Sequence, residues 1–272
     1  MGNVTLPSLE PTSGELDRLR RQLASLAPDV SQETISHNRA LIALLGQQAN
    51  MRKLLHGVLN SPDCLAEIAG RSYRHINHFD KIVLIGSDDP SAYRLTLHLW
   101  RPPYGEREFQ DELIHDHRFN FWSIILTGTL TSENFRFSDH GVSFRQYRYV
   151  PELRARSFSD FYEFCGETRL ERAGGYTRTA GQCYFLQAQS IHRIALPMLS
   201  VTCSLVLRGP RLREYSTVFN TEYPRFNTHF SNSMFSTEEL ATRLTALLET
   251  FEIKRPAMRE MPARERSGTY GD

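Results

Sequence analysis

The spacing of hydrophobic positions changes partway along the chain, and that change divides it. Leu16, Leu19 and Leu23, then Ile35, Leu41, Leu44 and Leu45, then Leu54, Leu55 and Val58 recur at helical spacing between about residues 12 and 70. Ser61-Pro62-Asp63 supplies an N-cap, a proline at the first helical position and an acid in the first turn, so a further short helix is expected to end near Gly70. From about residue 79 the texture becomes β-like, with runs at Lys81 to Ile85, Tyr93 to Trp100, Leu113 to Leu130, Phe135 to Phe137, Val142 to Val150, Tyr176 to Thr179, Gln182 to Leu186 and Ser200 to Leu207. Gly86 to Pro90, Asp139-His140-Gly141, Gly174-Gly175 and Arg208-Gly209-Pro210 read as the turns between them. Many short strands separated by turns predict a sandwich or barrel. Ser236-Thr237-Glu238-Glu239 is a capping box opening a helix through about Phe251, with Leu240, Leu244, Leu247 and Leu248 on one face. The polar stretch after Lys254 is expected to be disordered. The predicted organisation is a helical extension over 1–78, a β-barrel over 79–222, and a C-terminal helix with its tail over 223–272.

Composition narrows the setting more than the function. The chain has 272 residues and a formal net charge of +1, enough length for a core and no whole-molecule attraction to nucleic acid. The four cysteines (Cys64, Cys165, Cys183, Cys203) are scattered, which suggests neither a disulfide scaffold nor a thiolate zinc site. The start lacks the basic and apolar regions of a secretory signal, and no apolar run approaches the ~18 residues that span a bilayer. A cytoplasmic protein without a membrane partner is expected.

Candidate chemistry concentrates between Ile114 and Gly128. In extended chain, residues i and i+2 share a face, so His115 and His117 project together, close enough for one metal ion, while Asp116 points away. Gly181 to His192, a glycine turn, an apolar strand and a short turn ending in a histidine, offers a third nitrogen ligand.

With these two segments the β region resembles a cupin, most similar to the cysteine dioxygenase type. The similar stretches run from about Tyr93 to Phe137 and from Gly181 to Pro210, in the order strand, Ile-His-Asp-His motif, exit strand. The resemblance implies a double-stranded β-helix barrel and a mononuclear non-haem iron site held by His115, His117 and His192. Most cupins add a glutamate four or five positions after the histidine pair; Phe121 and Trp122 stand there, leaving three neutral imidazoles and up to three open octahedral positions. An anionic chelating substrate fits beside dioxygen. Zn, Ni and Cu also suit such a ligand set.

Departures from that family accompany the match. Trp122 takes the place of its cross-linking cysteine, and Val206 and Arg208 take the places of a histidine and a tyrosine. Its substrate-carboxylate arginine corresponds loosely to Lys81; Arg208 offers a bidentate fork instead. Lys81 and Arg208 are thus the candidate substrate-anchoring and catalytic groups, Phe121 and Trp122 the candidate pocket walls. His98 shares a face with Arg94 and Thr96 and serves either beside the site or as a structural histidine. The expected function is an iron(II)-dependent oxygenase acting on a small amino-acid-like, thiol or carboxylate substrate. The alternative is a non-redox metal-binding cupin: an isomerase, a sensor or a structural module.

Three other features carry weaker alternatives. His78-Phe79-Asp80 matches part of a 2-oxoglutarate oxygenase triad, but no distal histidine and arginine complete it. Arg145-Gln146-Tyr147-Arg148-Tyr149 with Arg154 and Arg156 interleaves bases and aromatics as single-strand binders do, although a charged strand edge is the favoured reading. Residues 131–180 form a long insertion between the motifs, placed for a lid or a homodimer surface.

Overall fold

A computed structural model describes residues 14–150, 162–221 and 233–252. Four helices come first: α1 (Gly14–Ala24), α2 (Gln32–Leu45), α3 (Gln48–Leu59) and α4 (Pro62–Ala69). Ser61 caps α4 as expected, its hydroxyl accepting from the Cys64 amide. The barrel follows as β1 (Tyr73–Arg74), β2 (Asp80–Ile85), β3 (Arg94–Trp100), the short α5 (Glu106–Gln110), β4 (Ile114–His115), β5 (Phe119–Thr127), β6 (Thr129–Tyr149), β7 (Tyr162–Thr179), β8 (Cys183–Leu186), β9 (His192–Ala195), β10 (Thr202–Arg211) and β11 (Ser216–Asn220). The last element is α6 (Thr237–Glu252), opened by the predicted capping box: Ser236 Oγ accepts from the Glu239 amide at 3.1 Å and the Glu239 carboxylate accepts from the Ser236 amide at 2.9 Å.

The strands form two antiparallel sheets, one in the order β1-β2-β3-β10-β5-β8 and one in the order β11-β4-β9-β6-β7. The chain passes repeatedly from one sheet to the other, the double-stranded β-helix arrangement expected from the sequence. Alternation along the strands of the first sheet sorts side chains into two layers. Leu95, Leu97 and Leu99 of β3, Leu205 and Leu207 of β10, and Trp122 and Ile124 of β5 share one buried cluster with leucines of α1, α3 and α6. The helices thus cover the outer face of this sheet. The alternate residues, among them Trp100, Phe121, Ile125 and Val206, face the barrel interior in a second cluster.

Several expected turns are bulges inside longer strands. β6 runs unbroken for 21 residues because Phe137 and Val142 both pair with Leu170 of β7, so Asp139-His140-Gly141 loops out sideways without reversing the chain. Gly141 is pressed against the Leu170 carbonyl, where a Cβ would overlap it. Gly174-Gly175 lies within β7, and Arg208-Gly209-Pro210 lies within β10, with a register shift between Arg208 and Arg211. Strands β9 and β11 were not expected from the pattern. The residues read as an insertion belong largely to the barrel wall, since β6 pairs with β9 at one end and with β11 at the other. Among the described residues no helix is long and apolar enough to cross a membrane. The polar tail and the Arg154 and Arg156 positions lie outside the described residues.

Candidate metal centre

The three histidines arrive from different parts of the barrel. His115 on β4 and His192 on β9 are direct cross-strand partners. His117 follows β4 where the chain leaves the second sheet to enter the first as β5. Their ring centroids are 4.8, 4.8 and 5.0 Å apart, and one ligand atom from each lies within 4.8 Å of the others. Nδ1 of His115 donates to the Leu113 carbonyl at 2.7 Å and Nδ1 of His192 to the Ser190 carbonyl at 3.0 Å. A carbonyl only accepts, so these bonds fix the proton on Nδ1 and leave Nε2 as the atom able to ligate, with Asn77 Nδ2 donating to that of His115 at 3.4 Å. Nε2 of His117 is buried without a partner. Burial pushes His192 down to about 3, assisted by His115, and drives His115 and His117 down as well. All three rings are therefore neutral at physiological pH, the form that ligates a cation. Among the described residues this is the sole cluster of His, Cys, Asp and Glu with metal-ligand spacing, and a divalent ion fits its donor set.

Backbone and carboxylate contacts hold the motif from behind. The Asp116 side chain points away from the histidines and accepts from the Thr217 amide at 2.6 Å and from Arg213 Nη2 at 2.5 Å. Arg213 also donates to the His117 carbonyl through Nε at 2.9 Å and Nη2 at 2.6 Å, and reaches the Ala188 carbonyl at 3.3 Å. Ala188, at the turn before His192, accepts from the His117 amide at 2.8 Å and donates to Asn120 Oδ1 at 2.8 Å. One arginine thus ties the two metal segments together. Sequence reasoning missed it, because nothing local to Arg213 marks a position that depends on the folded barrel.

The structure divides the expected pocket residues. Phe121 faces inward, its ring edge-on to His117 with centroids 5.0 Å apart. Trp122 does not line the pocket, a correction to the reading above. Alternation turns it outward into the helix-facing core, where its Nε1 donates to the Ile35 carbonyl at 3.0 Å. Lys81 and His98 are cross-strand partners on β2 and β3, and His98 pairs on its other side with Ser204. His98 stacks on Phe79 at 4.3 Å, and its Nε2 lies 3.3 Å from the Thr96 hydroxyl. Lys81 Nζ lies 3.4 Å from the Tyr73 hydroxyl. Burial, then repulsion from Arg208, Arg94 and Arg118, pushes Lys81 down to about 7. Arg208 is 7% exposed. Its guanidinium carbon lies 4.2 Å over the Phe119 ring, which in turn lies 5.4 Å from the His117 ring. Tyr73, Arg94 and Arg118 complete this surface and were not singled out; the alternation of Arg94, Thr96 and His98 on an otherwise apolar strand was the available signal.

The other candidate motifs are engaged elsewhere. Asp80, 1% exposed, binds Arg101 at 2.8 Å, Arg243 of α6 at 3.2 Å and Arg74 at 3.5 Å, while His78 contacts Asp111 at 2.7 Å. These residues fasten helices to the barrel. In the basic stretch Tyr147 is buried, whereas Arg145 and Arg148 are exposed, so its bases and this aromatic do not share one surface.

Fold and site together define a two-sheet antiparallel β-barrel carrying a three-histidine cluster. No family model and no curated protein matches the sequence. Solved structures with a similar arrangement include the DMSP lyase DddQ from Ruegeria pomeroyi (16% identity, TM-score 0.29, 55% of this chain and 54% of that one). A cupin-2 domain protein from Shewanella frigidimarina matches at 16% identity and TM-score 0.24, over 49% of this chain and 82% of that one. Hydroxypropylphosphonic acid epoxidase from S. wedmorenis matches at 12% identity and TM-score 0.29, over 72% and 95%. The chain spans about half the length of the DMSP lyases it matches.

Proposed function

We propose that the chain is a mononuclear non-haem iron(II) oxygenase of the three-histidine, cysteine dioxygenase-like type. The observation that carries this reading is the convergence of three neutral imidazoles, His192 buried and His115 and His117 half-buried, with two Nε2 donors set by backbone carbonyls and Nε2 of the third left without a partner. Iron(II) bound there supplies a redox-active centre at which a substrate atom and dioxygen meet. The protein's own part is to orient and exclude. Leu113 and Ser190 fix the ring tautomers, Arg213 holds His117 against the turn before His192, and Phe121 and Ile125 keep the chamber apolar beside the cation surface. Lys81 and Arg208 anchor the anionic part of a small acid. His98, whose protonation burial and Lys81 oppose, remains a neutral partner in that chamber.

Anaerobic reconstitution with Fe(II), followed by metal analysis and oxygen uptake over a panel of small acids and thiols, tests this. One equivalent of iron, lost in His115→Ala, together with substrate-dependent oxygen consumption is the expected result. Stoichiometric zinc with no oxygen uptake favours the non-redox cupin, and metal content unchanged by His115→Ala refutes the site itself.

A further inference from the structure

The inner face of the first sheet carries positive charge that no ion pair among the described residues balances; Asp88 and Asp89 act on Arg94, and Glu214 on Arg118, only from longer range. Arg94 and Arg208 stand directly opposite each other across β3 and β10, where like charges repel. Nε and Nη2 of Arg208 are buried without hydrogen-bond partners, as are Nε of Arg94 and Nε of Arg211. Among the described residues no carboxylate forms an ion pair with Lys81, Arg94, Arg118, Arg208 or Arg211; Asp80 and Asp116 are committed to other arginines. Burial and then its neighbours Arg94, Arg118 and Arg211 push Arg208 down to about 9. An unpaired buried guanidinium destabilises the fold that holds it. An anion entering the chamber removes that cost.

We propose that this cation cluster selects the substrate, which is an organic acid carrying at least two negative charges and no ammonium group. The charge follows from the two opposed arginines with Lys81 beside them, more than one carboxylate neutralises. The missing ammonium follows from the chamber's composition, since no described carboxylate forms an ion pair with the cluster and a zwitterionic amino acid would set its ammonium among guanidiniums. Phe119 touches both Arg208 and His117, so the anionic end sits one ring's breadth from the histidines and the reacting end is a different part of the molecule. Dicarboxylates, phosphonates and phosphate monoesters share this chemistry. The inference rests on reading the barrel interior as the substrate chamber of the metal site.

Titration calorimetry on the full chain, metal-free and loaded with redox-inert Zn(II), tests it with succinate and methylphosphonate against butyrate and β-alanine. Either dianion should bind about tenfold or more tightly than butyrate, β-alanine should give no measurable heat, and the tighter dianion identifies the head group. Arg208→Met should erase the preference while leaving the thermal midpoint unchanged or raised, which shows that the variant is folded. Butyrate or β-alanine binding within about threefold of both dianions, or an undiminished preference in Arg208→Met, overturns the inference. The two readings fail separately. Metal bound at the histidines without dianion selectivity defeats this proposal alone, whereas dianion selectivity in a chain that takes up no metal supports it and defeats the oxygenase reading.

Discussion

Removing Arg213 is the sharpest test of how the histidine motif is held. In Arg213→Met the Asp116 carboxylate, 5% exposed, keeps its bond from the Thr217 amide but loses its counter-charge. The His117 carbonyl loses its donor at the same time, and the Ala188 carbonyl keeps only the His117 amide. Breaking a buried pair from one side typically costs ~3–5 kcal/mol. The Arg213 side chain retains 25% of its surface, so water and salt screen part of the interaction and the lower end applies, about 3 kcal/mol. For a chain of this size that corresponds to a fall of about 6–10 °C in Tm. Urea unfolding of the metal-free protein measures the stability change, and competition with a chromophoric chelator measures metal affinity, which should drop ~10–100-fold because the His117 backbone is no longer fixed. Adding Asp116→Asn should restore part of the stability by removing the stranded charge. A variant within about 0.5 kcal/mol of the parent and with undiminished metal affinity would show that Arg213 is not the strut described above.

Further outcomes follow from other contacts. Asp80→Ala leaves Arg101 and Arg243 without their carboxylate while Arg74 keeps Glu108; because Arg101 retains 40% and Arg243 17% of its surface, the loss in urea should be about 1–3 kcal/mol, without a change in metal content. Trp122→Phe removes the indole bond to the Ile35 carbonyl, which keeps its intrahelical donor, at a cost of about 0.5–1.5 kcal/mol, again with metal content intact; lost metal would return Trp122 to the pocket. Lys81 is held down to about 7 by burial and by Arg208, Arg94 and Arg118, with Tyr73, His75 and His98 also near it. Its folded value lies below its unfolded one, so the unfolded chain binds more protons between pH 7 and about 10.5, and stability should rise with pH across that window. Lys81→Met should flatten the rise by up to about 1 kcal/mol per pH unit, read from urea midpoints at fixed ionic strength; an identical slope in parent and variant would contradict the burial of this ammonium.

Local chemistry made some of the structure legible in the sequence and hid the rest. Capping signals at Ser61 and Ser236 are complete within four residues, and both helices begin where expected. The His115 and His117 pair is likewise local, and Gly181 to His192 brought in the third ring through a recognisable turn. Asp139-His140-Gly141 and Arg208-Gly209-Pro210 misled because glycine and proline serve bulges as well as turns, and only pairing with Leu170 or with β3 and β5 decides between them. Trp122 was misplaced because a run apolar on both faces gives no parity. The first sheet is covered by helices outside and filled within, so Phe121 and Trp122 look alike until one strand neighbour fixes which of them faces His117.

β4 is only two residues long, and its register with β9 consists of the single pair His115 and His192. The same two residues that would grip an ion are therefore the whole backbone seam between those strands. A bound cation would act there as a rivet across a joint that hydrogen bonds barely close, linking a residue of β4, the sheet-to-sheet crossing at His117 and the start of β9. In mechanical terms, an ion at this site would reinforce the closure of the barrel at its weakest joint.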